Sequence, residues 1–446
     1  MFDETNLVSC AGLVPVLELA EQAGLSDLLD EHVRFGCERV RSGAANSTAK
    51  LTAVVAGMAA GADSIEDLDV IRSGGMKNVF GGVYAASTLG ILLREFTFGH
   101  TAQLSGVLRR HLLALAQRTR VLDGIDRQAF VDIDSLLRPV YGHAKQGASF
   151  GHTKISGKSV LRRGLSPLAT AISTPSAAPV VAGIRLRAGR AGSSKGAASM
   201  VTDAVATARA AGAVRVLVRG DSAYGNGAVV SAARAAGAMF SVVLAKNTAV
   251  TAAISAIEEN AWTAVRYPGA VQDPDTGAWI SDAEVAETTY TAFAATKHEI
   301  TARLIVRRVK DKNTQDPLFP VWRHHPFLTD NDEPVTTADI THRQHAIVET
   351  LFSDLIDGPL AHLPSGSFAA NSAWVVLAAL THNLLRAAGT LAGATHRHAR
   401  GATLRRHLIN IPARLARPQR RPILHLPTHW PRADAWNTLW RNVFQT

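Results

Sequence analysis

Three acidic residues lie in separate sequence contexts that could together form a metal-dependent phosphoryl-transfer site. Asp134 lies in AFVDIDSLLRP, Asp221 follows the apolar run VRVLV, and Glu349 lies in the helical pattern HAIVETLF. The apolar runs predict a buried strand at each aspartate. Carboxylate oxygens are the ligands that Mg²⁺ and Mn²⁺ prefer, and a pair of such ions can hold the attacking and leaving oxygens of an in-line displacement. The three acids therefore predict a two-metal site.

Asp134 and Asp221 could each have a structural role instead of a catalytic one. Asp132 lies two residues before Asp134, so both side chains should project from one strand face, opposite Val131 and Ile133. Two carboxylates on a core strand are unfavourable unless they bind a cation or receive hydrogen bonds. The alternative is that one or both of these aspartates lie near the end of the strand, in solvent. Asp221 has the usual position of a sheet-borne active-site residue, although a turn or helix-cap role would also fit.

Two histidines precede Glu349 at a spacing that predicts one shared helix face. His342, His345 and Glu349 are related as i, i+3 and i+7. A zinc hydrolase site built from them is a weaker alternative, because the His-Glu-x-x-His arrangement is absent. Asp354 and Asp357 are nearby acids that could be mistaken for the third ligand.

Charge indicates a polyanionic partner. The 446 residues carry a formal net charge of +10, for which nucleic acid is the first candidate. No Asp or Glu occurs from Ser135 to Thr202, and this segment predicts a phosphate-binding surface, with a merely solvated basic face as the alternative. Its basic residues are Arg138, Lys145, Lys154, Lys158, Arg162, Arg163, Arg185, Arg187, Arg190 and Lys195.

Other features limit the function classes. Cys10 and Cys37 are too few for a disulfide framework or a cysteine zinc site, which suits a reducing cytoplasm. The opening MFDETNLVS lacks the pattern of a signal peptide. The apolar stretch 373–385 is too short to span a bilayer and predicts a buried core helix. No Gly-rich phosphate loop supports nucleotide hydrolysis.

The order of elements predicts an α/β fold with a mixed sheet. Residues 1–125 have helical patterns, and 126–259 read as three strands, helix, strand, helix, strand and helix. Residues 260–325 predict an inserted β-rich domain. Residues 326–395 hold the Glu349 helix and the apolar helix. The basic tail, 396–446, contains tryptophans that predict at least partial packing.

The chain resembles the DDE transposases of bacterial insertion sequences, of the cut-and-paste group. The resemblance is most specific at FVDIDSLLRPVYGHAKQGASFGHTK, VRGDSAYG, YPGAVQDPDTGAWISDAEVAE, THRQHAIVE and GPLAHLPSGSFAANSAW. It implies an RNase H-like mixed-sheet catalytic core with an inserted β-rich domain and a helical N-terminal DNA-binding domain. It also implies Asp134, Asp221 and Glu349 as catalytic metal ligands, and it favours Asp134 because the family's first aspartate precedes a small hydroxyl residue, here Ser135.

The resemblance further implies the partners and cofactors. Two Mg²⁺ ions, replaceable by Mn²⁺, would serve cleavage of double-stranded DNA at the element's terminal inverted repeats and joining to target DNA. The protein would act as a homodimer on DNA in the bacterial cytoplasm, at the nucleoid, without a membrane. End recognition should reside mainly in residues 1–125. The residues expected to contact DNA are Lys145, Lys154, Lys158, Arg162, Arg163 and Arg343.

Some positions depart from the family pattern or extend it. Ile356 stands where the wider group often has a lysine that contacts phosphate, and Arg343 is a candidate substitute. Hairpin-forming relatives often use an aromatic residue of the insertion to hold a flipped base, for which Trp279 and Trp262 are candidates. A basic stretch of the insertion could grip the DNA end from one strand face, and its residues are Arg303, Arg307, Arg308 and Lys310.

Two further functions remain possible from the same residues. One is a metal-dependent nuclease that has the same core and performs no strand transfer. The other is a catalytically silent relic that still binds DNA.

Overall fold

The computed structural model describes residues 1–36, 43–81, 83–155, 158–268, 270–275, 277, 283–310 and 321–445, without the side chains of 153–155, 158–159 and 420. The N-terminal part is helical, as the sequence predicts. Cys10 is buried with a free thiol, and Cys37 lies outside the described residues. The elements are β1 (Leu7–Val8), α1 (Leu13–Gln22), α2 (Leu25–His32), α3 (Ser47–Ala60), α4 (Ala86–Glu95) and α5 (Phe98–Arg118).

The central part of the chain alternates strands and helices. Its elements are β2 (Ala129–Ser135), β3 (Arg138–Pro139), β4 (Ser149–Ile155), β5 (Lys158–Leu165), β6 (Leu168–Thr174), β7 (Ala177–Arg185), α6 (Ala197–Ala210), β8 (Val216–Gly220), α7 (Gly227–Ala235), β9 (Met239–Val243) and α8 (Thr248–Ser255). The core strands lie in the order β7-β6-β2-β8-β9. The first three strands are antiparallel, whereas β2, β8 and β9 are parallel. This arrangement confirms the predicted RNase H-like mixed sheet.

A small separate sheet, which the sequence does not predict, lies between β2 and β6 along the chain. Its order is β3-β5-β4, with β4 and β5 forming an antiparallel hairpin. Phe150 and Leu161 on this hairpin are exposed. With these apolar residues exposed, the hairpin lacks the hydrophobic alternation of a half-buried strand.

The insertion is β-rich, and its strands extend the core sheet. They are β10 (Thr263–Val265), β11 (Ala283–Ala292), β12 (Ile300–Lys310) and β13 (Trp322–Thr329). Strand β13 pairs antiparallel with β9, so the described residues form one sheet of nine strands, β10-β11-β12-β13-β9-β8-β2-β6-β7. Strand β13 also crosses the predicted boundary at residue 325. The insertion therefore adds to the sheet edge instead of standing apart from it.

The last part of the chain returns to the N-terminus. Its elements are α9 (Val335–Arg343), α10 (Ile347–Ile356), α11 (Phe368–Leu391), α12 (Ala394–Arg397), α13 (Gly401–Leu404), β14 (Ala413–Ala416), β15 (Ile423–His425) and α14 (Ala433–Phe444). Strand β14 pairs with β1, and Ala11 N donates to Ile411 O at 2.9 Å. Trp436 is buried as well. Parts of 396–446 therefore pack against the rest of the chain, in agreement with the packing that its tryptophans predict.

Helix α11 is the centre of the hydrophobic core. It contacts β7 as well as α3, α4 and α5, so the N-terminal helices and the sheet share this helix. By length and composition it could cross a membrane, but 89% of its most apolar window is buried. This agrees with the core helix predicted for residues 373–385. Deleting residues 1–125 would expose α11, so end recognition there is better tested by surface substitutions.

An asparagine on α11 completes the hydrogen bonding of an edge strand. Asn383 is buried, its Oδ1 accepts from Val181 N at 2.8 Å, and its Nδ2 donates to Val181 O at 2.9 Å. Because β7 ends the sheet, these backbone groups have no strand partner. One amide therefore satisfies a buried donor and a buried acceptor, which otherwise would destabilise the fold.

We expect Asn383→Leu to lower the free energy of unfolding by roughly 2–4 kcal/mol, because both Val181 groups stay buried without partners. Urea denaturation measures this loss. Thr390→Ala is the matched control, since the Thr390 hydroxyl donates to Arg386 O within the same helix. Equal stability of the two variants would contradict the proposed role of Asn383.

Candidate active site

The three predicted acids meet at one cavity of about 60 Å³. They arrive from the end of β2, from the turn after β8 and from the first turn of α10. Strands β2 and β8 are parallel neighbours, so their carboxyl ends lie at the same sheet edge. The cavity is lined by Asp132, Ile133, Asp134, Arg219, Asp221, His345, Ala346, Val348 and Glu349.

Local hydrogen bonds orient the two aspartates. Asp134 Oδ1 accepts from Ser135 N at 2.7 Å, and Asp221 Oδ1 accepts from Ala223 N at 2.9 Å. The Asp221 carbonyl also accepts from Tyr224 N at 3.0 Å, which closes a tight turn after β8. Each carboxylate is thus fixed by the backbone directly following it, as expected for Asp in turns.

The end of this turn requires glycine. A Cβ built on Gly225 would lie 1.9 Å from the carbonyl oxygen of Val243 on β9. The turn that carries Asp221 therefore packs directly onto the neighbouring strand. This close approach explains the glycine at the end of VRGDSAYG.

Glu349 lies after a break in the helical segment. Helix α9 ends at Arg343, a 3₁₀ turn covers Gln344–Ala346, and α10 begins at Ile347. The expected continuous face of His342, His345 and Glu349 is therefore wrong. Glu349 is exposed in the first turn of α10, where the helix dipole favours a carboxylate.

The two histidines have separate structural partners. His342 is buried, its Nδ1 is 2.8 Å from Ser241 Oγ, and its ring stacks on Phe327 with centroids 4.1 Å apart. Burial, as the largest cause, and nearby positive charges put the pKa of His342 well below its ordinary value. His345 Nδ1 donates to His342 O at 2.7 Å. These contacts disfavour the zinc alternative, because His342 faces the sheet and not Glu349.

The carboxylates line a common cavity without enclosing it. Within the described residues, no three His, Cys, Asp or Glu side chains are gathered closely enough to hold an ion. The oxygen ligands nevertheless match a hard divalent cation in chemical type. Of the three acids, Glu349 is exposed, whereas Asp134 and Asp221 are half-buried.

Asp132 forms a buried ion pair under the cavity. Arg219 Nε and Nη2 donate to its two oxygens at 2.7 and 2.8 Å, and both side chains are 1% exposed. Arg219 Nη1 also donates to Thr341 O at 2.8 Å, and its guanidinium stacks on Phe130. Burial raises the pKa of Asp132, and the charge of Arg219 opposes this shift. Asp132 is therefore committed to Arg219, which leaves Asp134 as the ligand candidate on β2.

Tyr224 lies near enough to Asp134 and Asp221 to feel their charges. The side chain is fully buried, and its hydroxyl makes no hydrogen bond of normal length with the described residues. Burial is the main cause that raises the pKa of Tyr224, and Asp134 and Asp221 add to the shift. The phenol therefore stays neutral and keeps its proton beside the two carboxylates.

Two of the residues predicted to contact DNA donate hydrogen bonds to loop carbonyls. Lys145 Nζ donates to Leu363 O at 2.8 Å and to Ser365 O at 3.0 Å. Arg163 Nη1 donates to Gly142 O at 2.7 Å. Arg187, from the same basic segment, is buried against backbone carbonyls. Part of the positive charge of the acid-free segment is thus engaged in hydrogen bonds within the protein, and phosphate binding by this segment stays a prediction.

The other predicted DNA contacts are placed differently. Arg162 is exposed on β5. Lys154 and Lys158 lie on β4 and β5, but their side chains are not described. Arg343 is exposed, and its guanidinium carbon lies 3.9 Å from the centroid of the Tyr267 ring. The role of these residues in DNA binding stays a prediction.

Of the two tryptophans suggested for base holding, one already stacks within the protein. Trp262 is half-buried, and the guanidinium carbon of Arg308 lies 4.2 Å from its ring centroid. Trp279 lies outside the described residues. Base holding by either residue stays a prediction, and Trp262 would first have to leave Arg308.

Arg219, which connects Asp132 on β2 to Thr341 O on α9, is not among the site residues that the sequence predicts. It lies in VRVLVRGD, two positions before Asp221, where the apolar run predicts a buried strand. The signal in the sequence is an arginine at the end of this strand together with Asp132 on another, since a buried charge requires a partner. Their pairing depends on the parallel register, in which Asp132 and Arg219 are direct neighbours.

Comparison with known proteins identifies one matching family. The family model described as "Transposase DDE domain group 1" matches residues 1–446. A cryo-EM structure of the piggyBac transposase synaptic complex with hairpin DNA is similar with a TM-score of 0.41 and 11% identity, covering 88% of this chain and 76% of that one. No curated protein matches the chain.

We expect Asp132→Asn to lower the free energy of unfolding by about 3–5 kcal/mol, because it leaves the Arg219 charge buried without its partner. Urea denaturation measures the difference. Asp134→Asn is the matched control on the same strand, and its half-buried position predicts near wild-type stability. Should both variants unfold at the same urea concentration, Asp132 would not be the structural partner described here.

Proposed function

The chain belongs to the DDE-domain transposases, and on this premise we propose that it is an insertion-sequence transposase that cleaves DNA at its element's terminal inverted repeats and joins the ends to target DNA. The observation that supports this most directly is the cavity lined by Asp134, Asp221 and Glu349. These acids are 87 and 128 residues apart in sequence, from 134 to 221 and from 221 to 349, and reach one cavity only through the fold.

The three carboxylates would hold two Mg²⁺ ions, with Mn²⁺ as a substitute. DDE transposases generally use divalent metal ions. Bound ions of this kind supply an activated water or 3′-hydroxyl nucleophile and stabilisation of the leaving oxygen. The oxygen-only ligands of Asp134, Asp221 and Glu349 suit a hard cation, whereas the fourth carboxylate, Asp132, is occupied by Arg219.

The protein's own residues set the charge and the orientation at the site. Ser135 N and Ala223 N hold one oxygen of Asp134 and one of Asp221. The Asp132–Arg219 pair contributes no net charge, so the cavity's negative potential comes from the three proposed ligands. Tyr224 places a neutral hydroxyl beside the aspartates, where it can donate a hydrogen bond to a carboxylate.

DNA binding by this transposase would combine specific and general contacts. The net charge of +10 supports attraction to DNA phosphates. We assign inverted-repeat recognition mainly to residues 1–125 and general affinity to exposed arginines such as Arg162. A homodimer would hold two element ends together, at the nucleoid of a bacterial cell.

Two alternatives within the same fold predict different reactions. A nuclease would nick DNA in the presence of Mg²⁺ without joining a 3′ end to a target. A silent relic would bind DNA without nicking it. An assay that follows both nicking and strand transfer separates all three functions.

We expect Asp134→Asn, Asp221→Asn and Glu349→Gln each to reduce Mg²⁺-dependent cleavage by at least about a hundredfold, because each weakens metal binding. Binding of the element end should be retained. The measurement is cleavage of a labelled DNA carrying the element end, with a mobility-shift assay for binding.

Asp203→Asn is the matched control for the change of charge. Asp203 is an exposed acid on α6 whose carboxylate pairs with Arg109 at 3.4 Å, and it does not line the carboxylate cavity. Its replacement removes one negative charge and should leave cleavage near the wild-type rate. Near wild-type cleavage by Asp221→Asn, in contrast, would refute the site assignment.

A further inference from the structure

A second and larger cavity, of about 330 Å³, lies beside the carboxylate cavity, and His345 lines both. It lies between α9 and the sheet, where Ile305, Phe327 and Ala338 form a small hydrophobic cluster. The residues lining it come from the end of β9 and the segment that follows it, from β12 and β13, and from α9 and the turn after it. They are Val243, Leu244, Lys246, Arg307, His324, His325, Pro326, Phe327, Asp339, His342, Arg343 and His345.

The lining of this cavity is cationic. Lys246, Arg307 and Arg343 contribute positive charges, and Asp339 is the one carboxylate among the lining residues. Asp339 Oδ2 accepts from Tyr267 Oη at 2.5 Å. Burial, as the largest cause, and Asp339 raise the pKa of Tyr267 to about 12, so the phenol remains a neutral donor. One acid therefore faces three cations.

The arginines of β12 differ in how they are neutralised. Arg303 pairs with Glu287 at 2.6 Å, and Arg308 pairs with Glu259 and Glu284 at 2.5 Å. Arg307 forms no ion pair within 4 Å with any carboxylate in the described ranges, although Asp339 lies near enough to feel its charge. Among these three arginines, Arg307 is thus the one that faces the cavity without a glutamate partner.

The positive charges around the cavity act on two of the histidines that line it. The pKa of His325 is lowered by burial and then by Arg307, Lys246, Arg343 and His324. The pKa of His324 is lowered by burial, Lys246 and Arg308. Burial disfavours any charge, whereas the nearby cations oppose only a positive one, so it is their contribution to the shift that should favour an anion.

We propose that this cationic cavity binds a phosphate group of the DNA strand whose scissile bond lies at the carboxylate cavity. Its volume is at the small end of ligand pockets, which suits one nucleotide unit but not a duplex. The wall shared through His345 places the two cavities within reach of one strand. This proposal rests on the proposed function, since it assumes that DNA occupies the carboxylate cavity.

The proposal is tested by binding without catalysis. The full-length protein is titrated, in EDTA, into a short fluorescently labelled single-stranded DNA, and anisotropy gives the affinity at several salt concentrations. Lys246→Gln and Arg307→Gln should each weaken binding several-fold. Each should also reduce the slope of log affinity against log salt by about 0.7, because one phosphate contact is lost.

Lys297→Gln is the matched control. Lys297 is an exposed lysine in the turn between β11 and β12, and the same charge is removed there outside the cavity. Lys246 is also exposed, so Lys246→Gln should fold normally even if Arg307→Gln does not. If Lys246→Gln weakens binding no more than Lys297→Gln, the cavity does not hold phosphate.

Protonation supplies a second readout. A bound phosphate should favour the charged form of His325, which faces Lys246, Arg307, Arg343 and His324, so affinity should rise as the pH falls from about 7 to about 5.5. His325→Gln should flatten this dependence relative to Lys297→Gln. An unchanged pH profile would also count against the proposal.

The outcome is separable from that of the proposed function. Cavity variants that bind normally, in a protein that still cleaves DNA with Mg²⁺, would overturn the cavity alone. A protein that never cleaves, but whose DNA binding depends on Lys246 and Arg307, would overturn the proposed reaction and retain the phosphate site.

Discussion

The buried Asp132–Arg219 ion pair is the interaction on which the site depends. It joins β2 to β8, and through Thr341 O it also reaches the end of α9, just before the turn that leads to Glu349. Each of the three proposed ligands therefore follows closely on an element that this pair fixes. A buried ion pair adds little net stability, but it penalises any arrangement that separates its partners. Its main effect here is to define the relative positions of the three segments.

The carboxylate cavity and the cationic cavity are neighbours because the insertion continues the core sheet. Strand β13 pairs with β9, so the insertion adds strands beyond the core without a separate sheet. Helix α9 then crosses back over these strands towards Glu349. The carboxylate cavity forms at the ends of β2 and β8, and the cationic cavity forms where α9 covers β12 and β13. The proposed metal ligands and the proposed phosphate-binding residues are therefore separate sets of side chains around one continuous sheet, with His345 lining both cavities.

The sequence predicts the parts of the fold that local patterns encode. The apolar runs indicate the core strands β2, β6, β7, β8 and β9, because these strands are short and buried. The β4–β5 hairpin escapes prediction, since exposed strands lack that signal. Two features depend on how distant strands align, which no local pattern contains. One is the pairing of β13 of the insertion with β9, and the other is the pairing of Arg219 with Asp132. For the same reason, Arg303, Arg307 and Arg308 look equivalent in the sequence, whereas only the fold shows which of them has a glutamate partner.

Metal location in the complex with DNA tests the proposed site most directly. A crystal of the full-length protein with element-end DNA and Mn²⁺, measured at the manganese absorption edge, gives anomalous density for the ions alone. We expect density in contact with Asp134, Asp221 and Glu349, with Asp132 still bound to Arg219. Density that lies on Asp132, or that contacts neither Asp221 nor Glu349, would contradict the assignment.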